Sequence, residues 1–199
     1  MDGIEIWLAE HWIELLASLL GILYVLLALK QNIWCWPVGL VNVALYILVF
    51  YRARLFGDMV LQGFYMVMAV YGWYNWKYGK SGQEADTLKI TKIPLKTFGV
   101  MILLTAAASW GFGYVLSRTV STIPYWDGAT TALGLAGTWM TARKYLENWL
   151  FWIFTDLLCV GVYFYKGLHL TVVFYAVLAV MAGIAYIEWR KEYKKNIRI

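Results

Sequence analysis

The chain has 199 residues, 62% of them hydrophobic and only 15% charged, with a mean hydropathy of +0.61. Soluble domains carry about 45–50% apolar residues, and a globule of this size could not bury the excess. The composition argues against a soluble enzyme, a nucleic-acid binder or a disordered tail and fits a polytopic membrane protein. The 12 Trp and 15 Tyr residues exceed what aromatic belts at two interfaces absorb. Cys35 and Cys159 both lie in apolar runs, which indicates neither a disulfide framework nor a metal site. Met1-Asp2-Gly3-Ile4-Glu5 lacks the basic region of a cleavable signal peptide, so the first apolar run is expected to stay in the mature protein.

In chain order, seven runs approach the length that crosses ~30 Å of hydrocarbon: 12–29, 34–51, 55–76, 96–117, 127–143, 148–165 and 170–189. The fifth is rich in Gly, Ala and Thr, a composition that permits close helix packing. The connection over 77–95 is too short and polar to form a soluble domain. Seven spans place Arg52, Arg54, Arg118 and Lys166 on one side and the other Lys and Arg residues, the large majority, on the opposite side. The positive-inside rule then predicts an external N-terminus and a cytoplasmic C-terminus.

A shift of 114 superposes Lys30 on Lys144, Asn42 on Asp156, and Phe50-Tyr51-Arg52 on Phe164-Tyr165-Lys166. One residue of slip adds Trp76-Lys77 on Trp189-Arg190. This predicts an all-α membrane protein of two three-helix bundles, 12–76 and 127–189, joined by a linker span at 96–117 and followed by a cytoplasmic tail at 190–199. The odd linker gives the repeats the same orientation, a 3+1+3 design that suits transport along a path between them.

Asp156 falls near the middle of the sixth span, where an ionised carboxylate costs about 2.5–3.5 kcal/mol on insertion scales. Trp149, Trp152, Asp156 and Tyr163 share one face. Belt placement accounts for Trp149 but not for Asp156. Gln62 lies on a stripe of the third span with Asp58, Tyr65 and Trp76. Asn42 and Tyr46 sit one turn apart in the second span, where an interhelical hydrogen bond is an equal reading. Thr131, Thr138 and Trp139 of the fifth span either line a path or, for the Thr residues, bond back to their own helix. His11 and His169 lie near helix ends and read as interfacial. The side chains together describe an aromatic cavity with amides, hydroxyls and one acid, suited to a flat, cationic ring. No metalloprotease, phosphate-loop, dinucleotide or nucleophile-elbow motif is present. The scarcity of buried ionisable groups predicts downhill facilitation rather than ion coupling.

Trp34-Cys35-Trp36-Pro37-Val38-Gly39-Leu40-Val41-Asn42, Leu45-Tyr46, Phe50-Tyr51, Leu55, Asp58, Leu61-Gln62 and Tyr71-Gly72-Trp73-Tyr74-Asn75-Trp76 together resemble the PnuC family of bacterial vitamin transporters. So does Glu147-Asn148-Trp149-Leu150-Phe151-Trp152 with Asp156 and Tyr163. The resemblance covers about residues 12–190. It implies a SWEET-like 3+1+3 fold and facilitated import of nicotinamide riboside across the bacterial cytoplasmic membrane, with trapping by a cytoplasmic kinase. It implies ligand contacts from Trp149, Trp152, Asp156 and Gln62, and more weakly from Asn42, Tyr46, Thr131 and Trp139. Related SWEET proteins use a hinge proline in the first helix of each bundle, whereas Pro37 opens a second helix here. Thiamine, also a cationic aromatic, is the alternative substrate; neutral riboflavin is disfavoured by Asp156. The expected partners are a small vitamin, the lipid bilayer and, functionally, the kinase, with homo-oligomer formation left open and no nucleic acid, metal or cofactor. A membrane-embedded enzyme using Asp156 or Glu147, and a structural subunit, are the competing classes. An enzyme would need a second convergent catalytic group, and a subunit would not need the Trp149–Asp156 stripe.

Overall fold

A computed structural model describes residues 3–52, 54, 56–79, 88–119 and 121–197. Lys80 to Asp86 of the polar connection, Leu55 and the terminal Arg198 lie outside the described residues. The chain forms seven helices: α1 (Gly3–Leu29), α2 (Cys35–Arg52), α3 (Phe56–Tyr78), α4 (Leu95–Leu116), α5 (Pro124–Ala142), α6 (Asn148–Tyr165) and α7 (His169–Ile197). Five match the expected spans to within about three residues. α1 starts earlier than expected, at Gly3, and α7 continues through the expected tail to Ile197. That extension is a run of helix formers with Glu188–Lys191 and Glu192–Lys195 pairs one turn apart, the spacing that supports an exposed helix. α5 opens on Pro124, whose fixed φ and missing N–H suit a first helical turn.

The helices divide into two compact units, Met1–Gly79 and Lys80–Ile199. In the first, α2 packs against both α1 and α3. In the second, α4, α5, α6 and α7 each pack on the next in order. Helix surfaces carry large apolar side chains in the open: Leu103 (72% exposed) and Leu104 on α4, Val60 and Val67 on α3, Val173 and Val180 on α7. Water would not tolerate apolar surface on that scale, whereas lipid does. By length and composition α2, α4, α6 and Thr171–Ile197 of α7 can each cross a membrane, and α1 adds a shorter apolar stretch, Leu15–Leu29. α5 needs no such composition. It lies between α4 and α6 and buries Gly128, Ala132, Gly134, Gly137, Thr138 and Thr141 inside the protein.

The internal repeat is visible in the backbone, at a spacing of 113 rather than the 114 suggested by the helix-end charges. Gln31 (φ 55°) and Lys144 (φ 52°) occupy the left-handed region just after α1 and α5, and Arg54 (φ 59°) and Gly167 (φ 73°) do so after α2 and α6. The first two close matching helix ends. Gln31 and Asn32 N–H donate to Ala28 and Leu27 O at 2.9 Å, and Lys144 and Tyr145 N–H donate to Thr141 and Met140 O at 3.0 and 3.1 Å. This paired pattern satisfies carbonyls that the last helical turn leaves without partners. The same spacing relates two tryptophan pairs. Trp36 meets Trp76 edge to face at 5.4 Å and 89°, and Trp149 meets Trp189 at 5.4 Å and 86°. Asp156 therefore corresponds to Val43, and Asn42 to Thr155, so the pairing of Asn42 with Asp156 is off by one residue.

Glycines set the closest approach of α4 to α5. A Cβ on Gly128 would lie 2.5 Å from the Gly113 backbone N and 2.8 Å from the Ser109 carbonyl. Backbone cannot rotate away as a side chain does. Gly128→Val is expected to push the two helices apart and cost about 1–3 kcal/mol, read as a lowered thermal transition of the purified protein. Gly183→Ala, where the added Cβ meets nothing within 4 Å, should leave that transition in place.

Candidate functional site

α6 carries the candidate residues Trp149, Trp152 and Asp156 of the second unit. It turns Asn148, Trp149, Phe151, Thr155, Asp156, Cys159 and Val162 inward, against α5 on one side and α7 on the other. Its N-terminal end is held by a strap. Thr91 N–H donates to Lys144 O at 3.1 Å, Leu146 N–H donates to Thr91 O at 2.9 Å, and Lys144 Nζ donates to Leu88 O at 2.9 Å. Ile93 N–H donates to Glu147 Oε2 at 3.0 Å. The Glu147 carboxylate thus anchors a backbone segment.

Trp152 lies across α5. A Cβ on Gly137 would stand 3.2–3.5 Å from three atoms of the Trp152 ring system, Cε2, Cζ2 and Cδ2. Those similar distances mean that the ring presents its face to the glycine. The indole Nε1–H donates to Thr141 Oγ1 at 3.1 Å. The Thr141 hydroxyl lies 2.9 Å from Gly137 O and 3.1 Å from Asn148 Oδ1, and Asn148 Nδ2 donates to Tyr145 O at 2.6 Å. Thr141 and Asn148 are fully buried, and their polar groups are satisfied by this chain of bonds.

Asp156 follows Trp152 by one turn and is 5% exposed. It faces the protein, near Cys159 and Tyr175, with no ion pair among the described residues. The ion pairs that are described lie elsewhere: Lys166–Asp127 on the second unit and two on the α7 extension. A little further along α6, Tyr163 stacks on Tyr175 of α7 at 5.2 Å and 10°. Trp149 is not a belt residue. It is 3% exposed, packed on Trp189, and its Nε1 has no acceptor among the described residues, a state shared by Trp36 in the first unit.

The other expected site residues are dispersed. Thr131 Oγ1 donates back to Asp127 O at 2.8 Å, and Thr138 Oγ1 to Gly134 O at 2.8 Å, the intrahelical alternative. Trp139 packs toward α4 in a cluster with Ile93, Met101, Met140, Tyr145 and Phe151, and lines an apolar surface groove of about 380 Å³ with Val100 and Leu104. A second groove, of about 480 Å³, lies along Ile123, Trp126, Leu157 and Gly161. Of the expected site residues only Trp139 lines either groove. In the first unit, Asn42 Nδ2 donates to Ala17 O at 2.5 Å and the Tyr46 hydroxyl is 3.3 Å from Ser18 Oγ. Both tie α2 to α1. Gln62 is half-buried on α3. Asp58 is exposed in the first turn of α3, as a hydrated acid would be.

The 113-residue spacing exposes what the sequence comparison missed. Thr141, Asn148, Trp152 and Asp156 of the second unit correspond to Ala28, Cys35, Gly39 and Val43 of the first. Ala28 and Cys35 are 0% exposed and Val43 is 7% exposed. The fold is thus built once with apolar or small residues at these four positions and once with an indole, a hydroxyl, an amide and an acid. Thr141 and Asn148 were not among the expected site residues because each alone is an ordinary polar residue near a helix end. Their seven-residue spacing, with Trp152 four further on, was the available signal.

The comparisons with known proteins agree with this architecture. The family model described as nicotinamide mononucleotide transporter matches residues 11–191. The nicotinamide riboside transporter PnuC of Escherichia coli (strain K12) is 28% identical, over 86% of this chain and 82% of that protein. PnuC of Neisseria mucosa is 26% identical, over 94% and 75%. The riboflavin/roseoflavin transporter RibM of Streptomyces davaonensis is 23% identical, over 94% and 88%. The crystal structure of the vitamin B3 transporter PnuC superposes with a TM-score of 0.73 at 23% identity, covering 96% of this chain and 86% of that one, and so shares its fold. The chain is a multi-pass membrane protein and belongs to the nicotinamide mononucleotide transporter family.

Proposed function

We propose that this protein is a facilitator for nicotinamide riboside, binding the solute at Trp152 and Asp156 and releasing it on the cytoplasmic side of the bacterial inner membrane. The observation that carries the reading is the buried Asp156, without a cationic partner among the described residues and one turn from an indole. A carboxylate held at membrane depth is costly, and a cationic aromatic solute offsets that cost while its ring stacks on the indole. Trp149 backs this pair as packing framework, since its counterpart Trp36 makes the same contact where no acid is present. The names of the relatives in Escherichia coli and Neisseria mucosa support the same solute.

The same chemistry ranks the alternatives. Thiamine carries a cationic ring and would satisfy Asp156 equally. Riboflavin, the solute in the name of the Streptomyces relative, is neutral and would leave the acid unpaired. The mononucleotide adds a phosphate dianion, which Asp156 would repel. Asp156→Asn should weaken binding of nicotinamide riboside about tenfold, equivalent to ~1.4 kcal/mol, in titrations of the purified protein. Asp156→Ala and Trp152→Ala should abolish saturable uptake with insertion intact; normal uptake by either variant removes that residue from the site. Titration of wild-type protein should rank riboside above mononucleotide by more than tenfold, and a reversed order would sink the role given to Asp156.

Trapping by a cytoplasmic kinase supplies the driving force, because phosphorylation keeps the internal free solute low. An external N-terminus and cytoplasmic C-terminus follow from the basic residues concentrated at the opposite helix ends. With kinase and ATP supplied inside vesicles, uptake is expected to persist after the membrane potential and proton gradient are collapsed. Arrest on loss of the gradients alone would mean ion coupling.

A further inference from the structure

We propose that Thr141 and Asn148 are positioning residues that hold the Trp152 indole in the orientation from which it stacks on the solute. The inference rests on the carrier reading above, which places Trp152 in the site. A tryptophan side chain has several staggered rotamers, and a ring set only by contact with a glycine could slide or turn on it. Here three constraints act together. Gly137 admits the ring face, Thr141 Oγ1 accepts the indole N–H at 3.1 Å, and Asn148 Oδ1 lies 3.1 Å from that hydroxyl. Asn148 is in turn tied to the α5–α6 corner through Tyr145 O at 2.6 Å, and the strap through Thr91 and Ile93 holds that corner.

The fold does not require these polar groups. At the corresponding positions of the first unit stand Ala28, Cys35 and Gly39, within the same helix-end hydrogen-bond pattern and beside the same edge-to-face tryptophan pair. A buried hydroxyl and amide add desolvation cost that an alanine and a cysteine avoid. They occur only in the unit where the second-helix position carries an indole instead of a glycine. Thr141 meets the one polar atom of that indole and Asn148 meets Thr141, so their effect is to define the angle of the ring.

The test uses the full chain, purified, with nicotinamide riboside as probe. Thr141→Val keeps the shape and removes the acceptor; it should weaken binding about tenfold, as expected for one buried hydrogen bond. Thr141→Ser restores the hydroxyl and should bind within about threefold of wild type. Asn148→Ala, a second variant should Thr141→Val fail to fold, should weaken binding in the same direction. In a Trp152→Phe background, which has no indole N–H, both substitutions should lose their effect on binding. The indole N–H band of Trp152 in ultraviolet resonance Raman, isolated by difference against Trp152→Phe, should shift toward the unbonded position in Thr141→Val. Unchanged affinity in Thr141→Val, or an equal loss with and without the indole, would overturn the inference and leave the carrier reading standing. Wild-type protein that binds no riboside would overturn the carrier reading for this solute, and the Raman comparison, which needs no solute, would still decide whether Thr141 holds the ring.

Discussion

Hydrocarbon offers no hydrogen bonds, so a polar group that this chain carries into the bilayer is costly unless it is satisfied from within. Most of the structure can be read as answers to that demand. The backbone answers with helices whose carbonyl ends are closed by left-handed residues at Gln31 and Lys144. Thr131, Thr138 and Thr155 answer by donating to the carbonyl four residues back. Asn42 answers across a helix interface, at Ala17 O. Each of these bonds is made within one unit. Asp156 stands apart because the described residues provide it with burial and no cation.

The two units make this contrast interpretable. Two copies of one helical pattern share left-handed turns, helix-end hydrogen bonds and tryptophan pairs at a common spacing. Features present in both belong to the architecture, whatever their chemistry suggests. By that standard the Trp149–Trp189 contact is framework, although Trp149 lies on the same helix face as the acid. Features found in one copy are free of that obligation, and Thr141, Asn148, Trp152 and Asp156 are of this kind. Cys35 and Cys159 are both buried and not in a disulfide, and they do not correspond at the common spacing.

The helices were legible because hydrophobic run length is a strong constraint in a membrane protein. Their ends were less so. Pro124 started α5 three residues before the apolar run, and the salt-bridged extension of α7 is helical without being apolar. The repeat was legible but misregistered by one residue. Basic side chains recur at helix ends with a tolerance of about a turn, so Lys30 matches Lys144 as readily as its true counterpart Arg143. The backbone is less tolerant, but its left-handed residues are Gln31, Arg54 and Lys144 rather than glycines, and sequence does not advertise them. The burial of Asp156 one turn from Trp152 was legible from depth and spacing. The bonding partners of Asn42, Tyr46 and Thr131 and the packing of Trp139 were not, because side chains of those types serve packing and solute contact equally well.

An exchange of bulk between helices explains how one pattern accommodates both versions. In the first unit the Tyr24 ring of α1 lies against Gly39 of α2, where an added Cβ would stand 3.0 Å from the ring. In the second, the glycine is Gly137 on α5 and the ring is Trp152 on α6, each at the corresponding position. A single aromatic ring therefore fills the space between first and second helices in both units, but it grows from opposite partners. Only the second arrangement puts the ring on the helix that also carries the acid. Residues four apart on one helix face each other at about 5–6 Å between Cβ atoms, a separation that helix–helix sliding does not alter. Whatever motion exposes the site to either side, the indole and the carboxylate travel together, and a solute recognised by both would meet the same geometry throughout the cycle.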